Sequence, residues 1–365
     1  MAYYHPRYSG RKRRKKTKLQ KLILFILLLL IVAAVGVGYL LYRVLYHPNV
    51  WLGEKEQVSV YIPHEADFNE VKSTLYSNGM IVNRKNFEWL AWQKKYPENI
   101  KPGHYVIKQG MTSNDLINML RAGEQTPVKV IFNNINTLQE LAGKVGAQLE
   151  LDSSDLINLL KDSAYLSQFG LQTETASSLF IPNTYEFYWN TAADEFIERM
   201  HREYNKFWSE ERKSKAEELE LSIPEIVTLA SIVEKETNKE EEKDEIAGVY
   251  MNRLTRGWLL QADPTLKYIL EYQMGDEEIR RVLKRDKEIE SPYNTYKYGG
   301  LPPGPICLPS ISSIDAVLNY DDHNYFYFCA KDDLSGYHVF SKTLSQHNLN
   351  ARKYQRALDE QNIYR

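Results

Sequence analysis

The chain has 365 residues, enough for two or three folded units beside any tail or membrane segment. Its formal net charge is −2, but nine Lys and Arg and no acid fall within residues 1–21, so the remainder, which carries all 48 Asp and Glu, is acidic. An acidic body argues against nucleic acid as a partner.

A basic run followed by an apolar one points instead to a membrane. Residues 22–42 carry no charge and, at about 1.5 Å per residue, are long enough for a hydrocarbon core of about 30 Å. Arg11, Lys12, Arg13, Arg14, Lys15, Lys16 and Lys18 precede this run, so 1–21 is expected to be a cytoplasmic tail and the chain beyond Arg43 to lie outside. A cleaved signal peptide fits less well, because the apolar run exceeds the usual ~7–15 residues. Residues 43–57 form a connector.

A first folded unit is expected over 58–132. Val58 to Ile62 alternates like a strand, and Asp67 to Asn78 and Arg84 to Tyr96 have helical periodicity, with Phe87, Trp89, Leu90 and Trp92 expected in its core. Gly103 to Lys108 is a second strand, Thr112 or Ser113 caps a helix to Arg121, and Val128 to Phe132 adds a strand. Gly103 to Ile117 resembles a LysM-like module, whose relatives hold chains of N-acetylated amino sugars.

Residues 133–365 make the second unit. Two helical segments fill Thr137 to Lys161, and the aromatic stretch Ser178 to Tyr188 reads equally as a groove wall or a packed strand. Asp194 to Arg212 is helical, and the charged Ser209 to Glu220 is a solvated face. Ser222 and Glu225 form a capping box that starts an apolar helix ending in Glu234-Lys235-Glu236. At ~100° per residue Glu234 shares a face with Ile223, Val227 and Ala230, at the mouth of the core. There, desolvation would raise its pKa and let it serve as a general acid, although a helix reaching the surface explains the same pattern. Glu236 falls on the opposite side, over Leu229 and Ile232, where it is expected to support the helix end.

Beyond it, Ile246 to Arg256 is a helix closed by Gly257, and Asp263 is expected as the cap of a short helix with Pro264 at its first position. Glu277 to Arg285 reads as a charged helix. Ser291 to Tyr296 and Gly299 to Ile306 are stiff Pro/Gly loops whose hydroxyls, amide and tyrosines suit an oligosaccharide. Ser312 caps a helix to Asn319, Tyr325–Ala330 and Tyr337–Ser341 form a hairpin around Gly336, and Thr343 to Gln361 closes the chain as a helix. The histidines are scattered, nucleophile elbows and Gly-rich phosphate loops are absent, and no metal or cofactor is expected. Cys307 and Cys329 are equally open to pairing or to staying free.

Leu229 to Thr237, Gln261-Ala262-Asp263-Pro264-Thr265, Ser291 to Tyr296, Gly300 to Ile306 and Tyr337 to Ser341, in this order, resemble the YceG-like endolytic murein transglycosylases. One departure is Cys307, where a small polar residue is expected after Pro305-Ile306. The resemblance implies an α+β architecture: a single N-terminal transmembrane helix, a LysM-like subdomain and a mixed α+β catalytic domain with a glycan groove. It also implies Glu234 as catalytic acid, non-hydrolytic cleavage of nascent peptidoglycan strands, and synthases as companions. Gln261, Asp263, Thr265, Tyr293, Asn294, Tyr296 and His338 are the candidates for holding the glycan. A membrane-anchored peptidoglycan-binding or scaffold protein without catalysis is the alternative.

Overall fold

The computed structural model describes residues 17–276, 279 and 281–361. It divides into two compact units, Met1–Thr126 and Pro127–Arg365.

The first unit begins with α1 (Lys18–Tyr46), started by a reciprocal Thr17–Gln20 capping box; none of its residues is fully buried, and only Val44 and Leu45 near its end are half-buried against the core of the unit. Among the described residues it is the one helix long and apolar enough to cross a membrane. The chain after it is not a loose connector: Pro48 bridges Thr112 and Val50 bridges Ile81, so Val50 is buried. β1 (Gln57–Ile62) pairs antiparallel with β2 (Gly103–Lys108), from Gln57↔Lys108 to Ile62↔Gly103. Between them run α2 (Phe68–Ser77), capped by Asp67, and α3 (Arg84–Gln93); α4 (Ser113–Ala122), capped by Thr112, follows β2. Phe87, Tyr96, Tyr105, Ile107 and Leu116 are fully buried between sheet and helices. Trp89 and Trp92, expected in this core, are 45% and 59% exposed, because only the Phe87–Leu90–Ala91 stripe of α3 faces inward.

In the second unit β3 (Val128–Phe132) pairs antiparallel with β4 (Asn183–Phe187). The Val128 strand therefore belongs here, not to the first unit, and of the Ser178–Tyr188 stretch Asn183–Phe187 is a paired strand, while Ser178 and Leu179 end a 3-10 turn. Their sheet closes over α5 (Leu138–Gly146), α6 (Ser153–Lys161), α7 (Ser163–Ser167) and α8 (Ala193–Phe207), with Phe132, Phe180 and Phe196 fully buried in one core. The helix expected to Arg212 breaks at Trp208, and Ser209 caps a separate α9 (Glu210–Glu218).

A second core surrounds α10 (Ile223–Glu236). Glu225 accepts hydrogen bonds from the N–H and the hydroxyl of Ser222, which fixes the start of the helix. Every residue from Ile226 to Val233 is buried, because α10 is covered by α11 (Lys243–Thr255), by α12 (Asp263–Tyr268) and by α13 (Ile311–Leu318). β5 (Tyr327–Ala330) and β6 (His338–Ser341) form the expected hairpin, and α14 (Leu344–Glu360) packs on it. Three local expectations are corrected. The cap of α13 is Ser310, whose hydroxyl accepts the Ser313 N–H, not Ser312. Asp263 is the first residue of α12 rather than its cap, which is Ala262. Of the helix expected over 277–285, residues 277, 278 and 280 lie outside the described residues, and Lys284–Glu288 is a single 3-10 turn.

Candidate active site

The last turn of α10 places its two carboxylates in opposite environments. Glu234 turns toward α13. Its Oε2 accepts the hydroxyls of Ser310 and Ser313, each at 2.5 Å, and the Ser310 N–H at 3.2 Å; the buried Lys243 ammonium lies 3.4 Å away. Burial by itself would raise the pKa of Glu234, but the two hydroxyl hydrogen bonds and the Lys243 charge outweigh it and hold the carboxyl below its ordinary value. The expectation of a raised pKa at this position is therefore corrected: hydroxyls, not apolar side chains, surround the group.

Glu236 turns the other way, into a cavity of about 400 Å³ that it shares with Tyr250, Arg253, Gln261, Asp263, Tyr296 and His347. The Tyr250 hydroxyl donates to Glu236 Oε1. Desolvation pushes the Glu236 carboxyl up to about 7, the neighbouring Asp263 charge adds to this, and the Tyr250 hydrogen bond, Arg253 and Lys267 oppose it. With Oε1 taken by Tyr250, an acidic proton belongs on Oε2. Glu236, expected to support the helix end, ties it to α11 through this hydrogen bond and at the same time lines the cavity.

The loops around the cavity are built from the motifs singled out in the sequence, with divided roles. Gln261 sits at φ +50°, a left-handed backbone uncommon outside Gly and Asn, and its N–H is held by the Thr295 carbonyl at 3.0 Å. Thr295 Oγ1 accepts the Ala262 N–H at 3.0 Å and lies 2.9 Å from Thr265 Oγ1. Thr265 is fully buried and staples the turn rather than facing the cavity. Asn294 is equally buried: its amide donates to the Lys287 and Ile289 carbonyls and its Oδ1 accepts the Tyr296 N–H. Tyr293 packs on Tyr268 with ring centroids 5.0 Å apart. Of the candidates for holding a ligand, Gln261, Asp263 and Tyr296 line the cavity, and the Tyr296 hydroxyl donates to Asp263 at 2.5 Å. His338 does not line it. Its backbone N–H and Nδ1 meet Glu242 at 2.6 and 2.9 Å, and its ring stands edge-on to Phe328, which does form part of the wall.

Tyr250, Arg253 and His347 also line the cavity and were not singled out in the sequence. Tyr250 and Arg253 are one turn apart on α11; the burial of Arg253, which marks it, comes from the fold and has no signal in the local sequence, where Asn252, Thr255 and Arg256 surround it. Its guanidinium is fixed by the carbonyls of Phe326 and Leu260. The Pro/Gly loop is pinned to α10 by Ser231, whose hydroxyl accepts the Ile306 N–H at 3.0 Å. A Cβ on Gly304 would lie 1.9 Å from the Glu174 carbonyl oxygen, so only glycine fits there. Cys307 and Cys329 are both free, and burial pushes the Cys307 thiol up to about 12. No cluster of metal-ligating side chains occurs among the described residues.

The model of the YceG-like family matches residues 60–353, which takes in the whole cavity. The chain belongs to the YceG-like family. Its similarity extends to a Bacillus subtilis protein named endolytic murein transglycosylase, 29% identical over 88% of this chain and 91% of that one. A protein of the same name from Streptococcus pneumoniae is 28% identical over 82% of this chain, which spans 59% of the relative's length. A crystal structure of a YceG-like protein from Listeria monocytogenes superposes with a TM-score of 0.55 at 26% identity, covering 81% of this chain and 99% of that one.

Proposed function

We propose that this chain is a membrane-anchored endolytic peptidoglycan transglycosylase and that Glu236, not Glu234, is its catalytic acid. The observation that carries this reading is the Glu236 carboxyl: partly exposed in a cavity, pushed up to about 7, and oriented by Tyr250. A carboxyl poised near neutral pH is protonated often enough to donate and ionised easily enough to accept afterwards.

Both halves of that cycle are needed. Glu236 Oε2 donates its proton to the glycosidic oxygen as the bond from C1 of N-acetylmuramic acid breaks, releasing the next sugar as an alcohol. The positive charge developing at C1 faces Asp263, whose hydrogen bond from Tyr296 keeps it in place. The C6 hydroxyl of the same muramic unit then forms the new bond to C1, and its proton returns to Glu236. The product carries a 1,6-anhydro end, no water is consumed, and the acid is regenerated. A second carboxylate that activates water or attacks C1 itself, as in most glycosidases, is not required.

Gln261, with its backbone fixed by Thr295, and Tyr296 hold the sugars, while Thr265, Tyr293, Asn294 and His338 shape the loops. The first unit, with its β-α-α-β order, is a LysM-like module that keeps the strand near the enzyme. The apolar α1 anchors the chain with its N-terminus in the cytoplasm, so both folded units meet murein outside, where peptidoglycan synthases work. Full-length protein incubated with glycan strands and read by mass spectrometry tests the reading. Anhydro-ended fragments are expected; reducing ends would indicate hydrolysis, and intact strands a binding or scaffold protein.

A further inference from the structure

A second cleft, of about 380 Å³, is lined by residues that adjoin those bearing the acid. Lys235, the residue between the two glutamates of α10, and Pro264 and Lys267 of α12 line it, with Tyr268, Ile306 and Asn136 among the other lining residues. Neither lysine has a carboxylate within salt-bridge distance among the described residues, although every other charged residue discussed at the end of α10 is paired or hydrogen-bonded. Glu271 is the one acid in the lining, and its Oε1 already accepts the Ile279 N–H at 2.8 Å. The side-chain oxygen of Asn136 is buried and has no hydrogen-bond donor, which in a folded protein marks a place where a donor is due.

We infer that this cleft is a subsite for the short acidic peptide carried by the muramic acid unit. The inference rests on the transglycosylase reading for the identity of the ligand. An amide N–H of the peptide supplies the donor that Asn136 Oδ1 lacks, its carboxylates meet the Lys235 and Lys267 ammonium groups, and its alanyl methyls lie against Tyr268 and Ile306. The cleft and the cavity share α10 and α12: Lys235 adjoins Glu236, and Pro264 adjoins Asp263. A muramic residue whose C1 lies at Glu236 can therefore send its lactyl substituent toward the lysines. A bare polysaccharide has no use for two cations here.

Two measurements test this on the full chain in detergent or nanodiscs. In the first, a short synthetic lactyl-peptide with free carboxyls is titrated against the wild type, with the same peptide fully amidated as control. The acid form is expected to bind, the amide form to bind about fivefold to tenfold more weakly, and Lys235→Gln/Lys267→Gln to remove the difference. In the second, kcat/KM is compared for strands with and without peptides. The wild type is expected to favour peptide-bearing strands by a similar ratio, which the double variant brings toward one. Equal binding of acid and amide peptides, or an unchanged ratio in the double variant, would overturn the subsite. A folded wild type that binds the acid peptide but cleaves neither strand would uphold the subsite and overturn the transglycosylase reading.

Discussion

The phenolic hydroxyl of Tyr250, on α11, donates to the carboxyl of Glu236 at the end of α10, and both groups are enclosed except where Glu236 meets the cavity. The hydrogen bond orients the carboxyl but also favours its ionised form, while burial and Asp263 favour the neutral one. A carboxyl at about 7 is the balance of these effects, and each can be moved separately.

Activity should therefore fall as pH rises through about 7, since the donor must hold its proton. Asp263→Asn removes a charge that raises Glu236 and should shift this alkaline limb downward; Tyr250→Phe removes a hydrogen bond that lowers it and should shift the limb upward. The pH dependence of kcat/KM for strand cleavage in the three proteins checks both signs. Parallel profiles with only the amplitude changed would leave the limb to some other group.

The same raised pKa has a stability consequence of the opposite kind to a salt bridge. Glu236 binds its proton more tightly in the folded than in the unfolded state, so the folded state loses stability as pH rises from about 4.5 to about 7 and carries the full cost above that. Glu236→Gln, which cannot ionise, should be more stable than the wild type at pH 8, by up to about 3 kcal/mol for a shift of this size. The difference should vanish below pH about 4. Denaturant unfolding at the two pH values measures it.

Glu234 behaves in the reverse sense. Its carboxyl is held below its ordinary 4.5, so it contributes stability above that value and loses it as pH falls through the lowered folded pKa. Glu234→Gln gives up the charge that Ser310, Ser313 and Lys243 surround, and should cost about 1–3 kcal/mol. Thermal unfolding at neutral pH checks it, and the loss should shrink under acid conditions.

Gly304→Ala should be costly for a different reason, because the contact is with backbone. The new Cβ would meet the Glu174 carbonyl and push the loop away from its Ile306–Ser231 hydrogen bond. A loss of about 2–4 kcal/mol is expected, in the range of strong steric defects, with the unfolding midpoint as readout.

Much of this architecture is legible in the sequence, because its signals are local. The Ser222–Glu225 box, the caps at Asp67 and Thr112, and the hairpin around Gly336 are each decided within a few residues. Which strand joins Val128–Phe132 is not, since its partner lies some fifty residues later in the chain and pairing depends on the fold as a whole. The last turn of α10 is the sharpest case. Amphipathicity assigns an inner face only when one face is polar, and α10 is buried on all sides from Ile226 to Val233. Glu234 and Glu236 are then distinguished by what covers each side: serines of α13 on one, a tyrosine of α11 and an open cavity on the other. Neither partner can be read from the spacing of α10 itself. The same holds for the loop motifs, where Thr265 and Asn294 look like ligand-binding side chains but spend their hydrogen bonds on backbone.

The most direct test of the central claim compares the two glutamates in one assay. Glu234→Gln and Glu236→Gln, each shown by circular dichroism to be folded at the assay temperature, are incubated with glycan strands and the anhydro ends are counted by mass spectrometry. Glu236→Gln should lose strand cleavage by at least about 10²-fold, as expected for removal of a general acid, while Glu234→Gln keeps most of its activity per folded molecule. Cleavage retained by Glu236→Gln and abolished in folded Glu234→Gln would contradict the account.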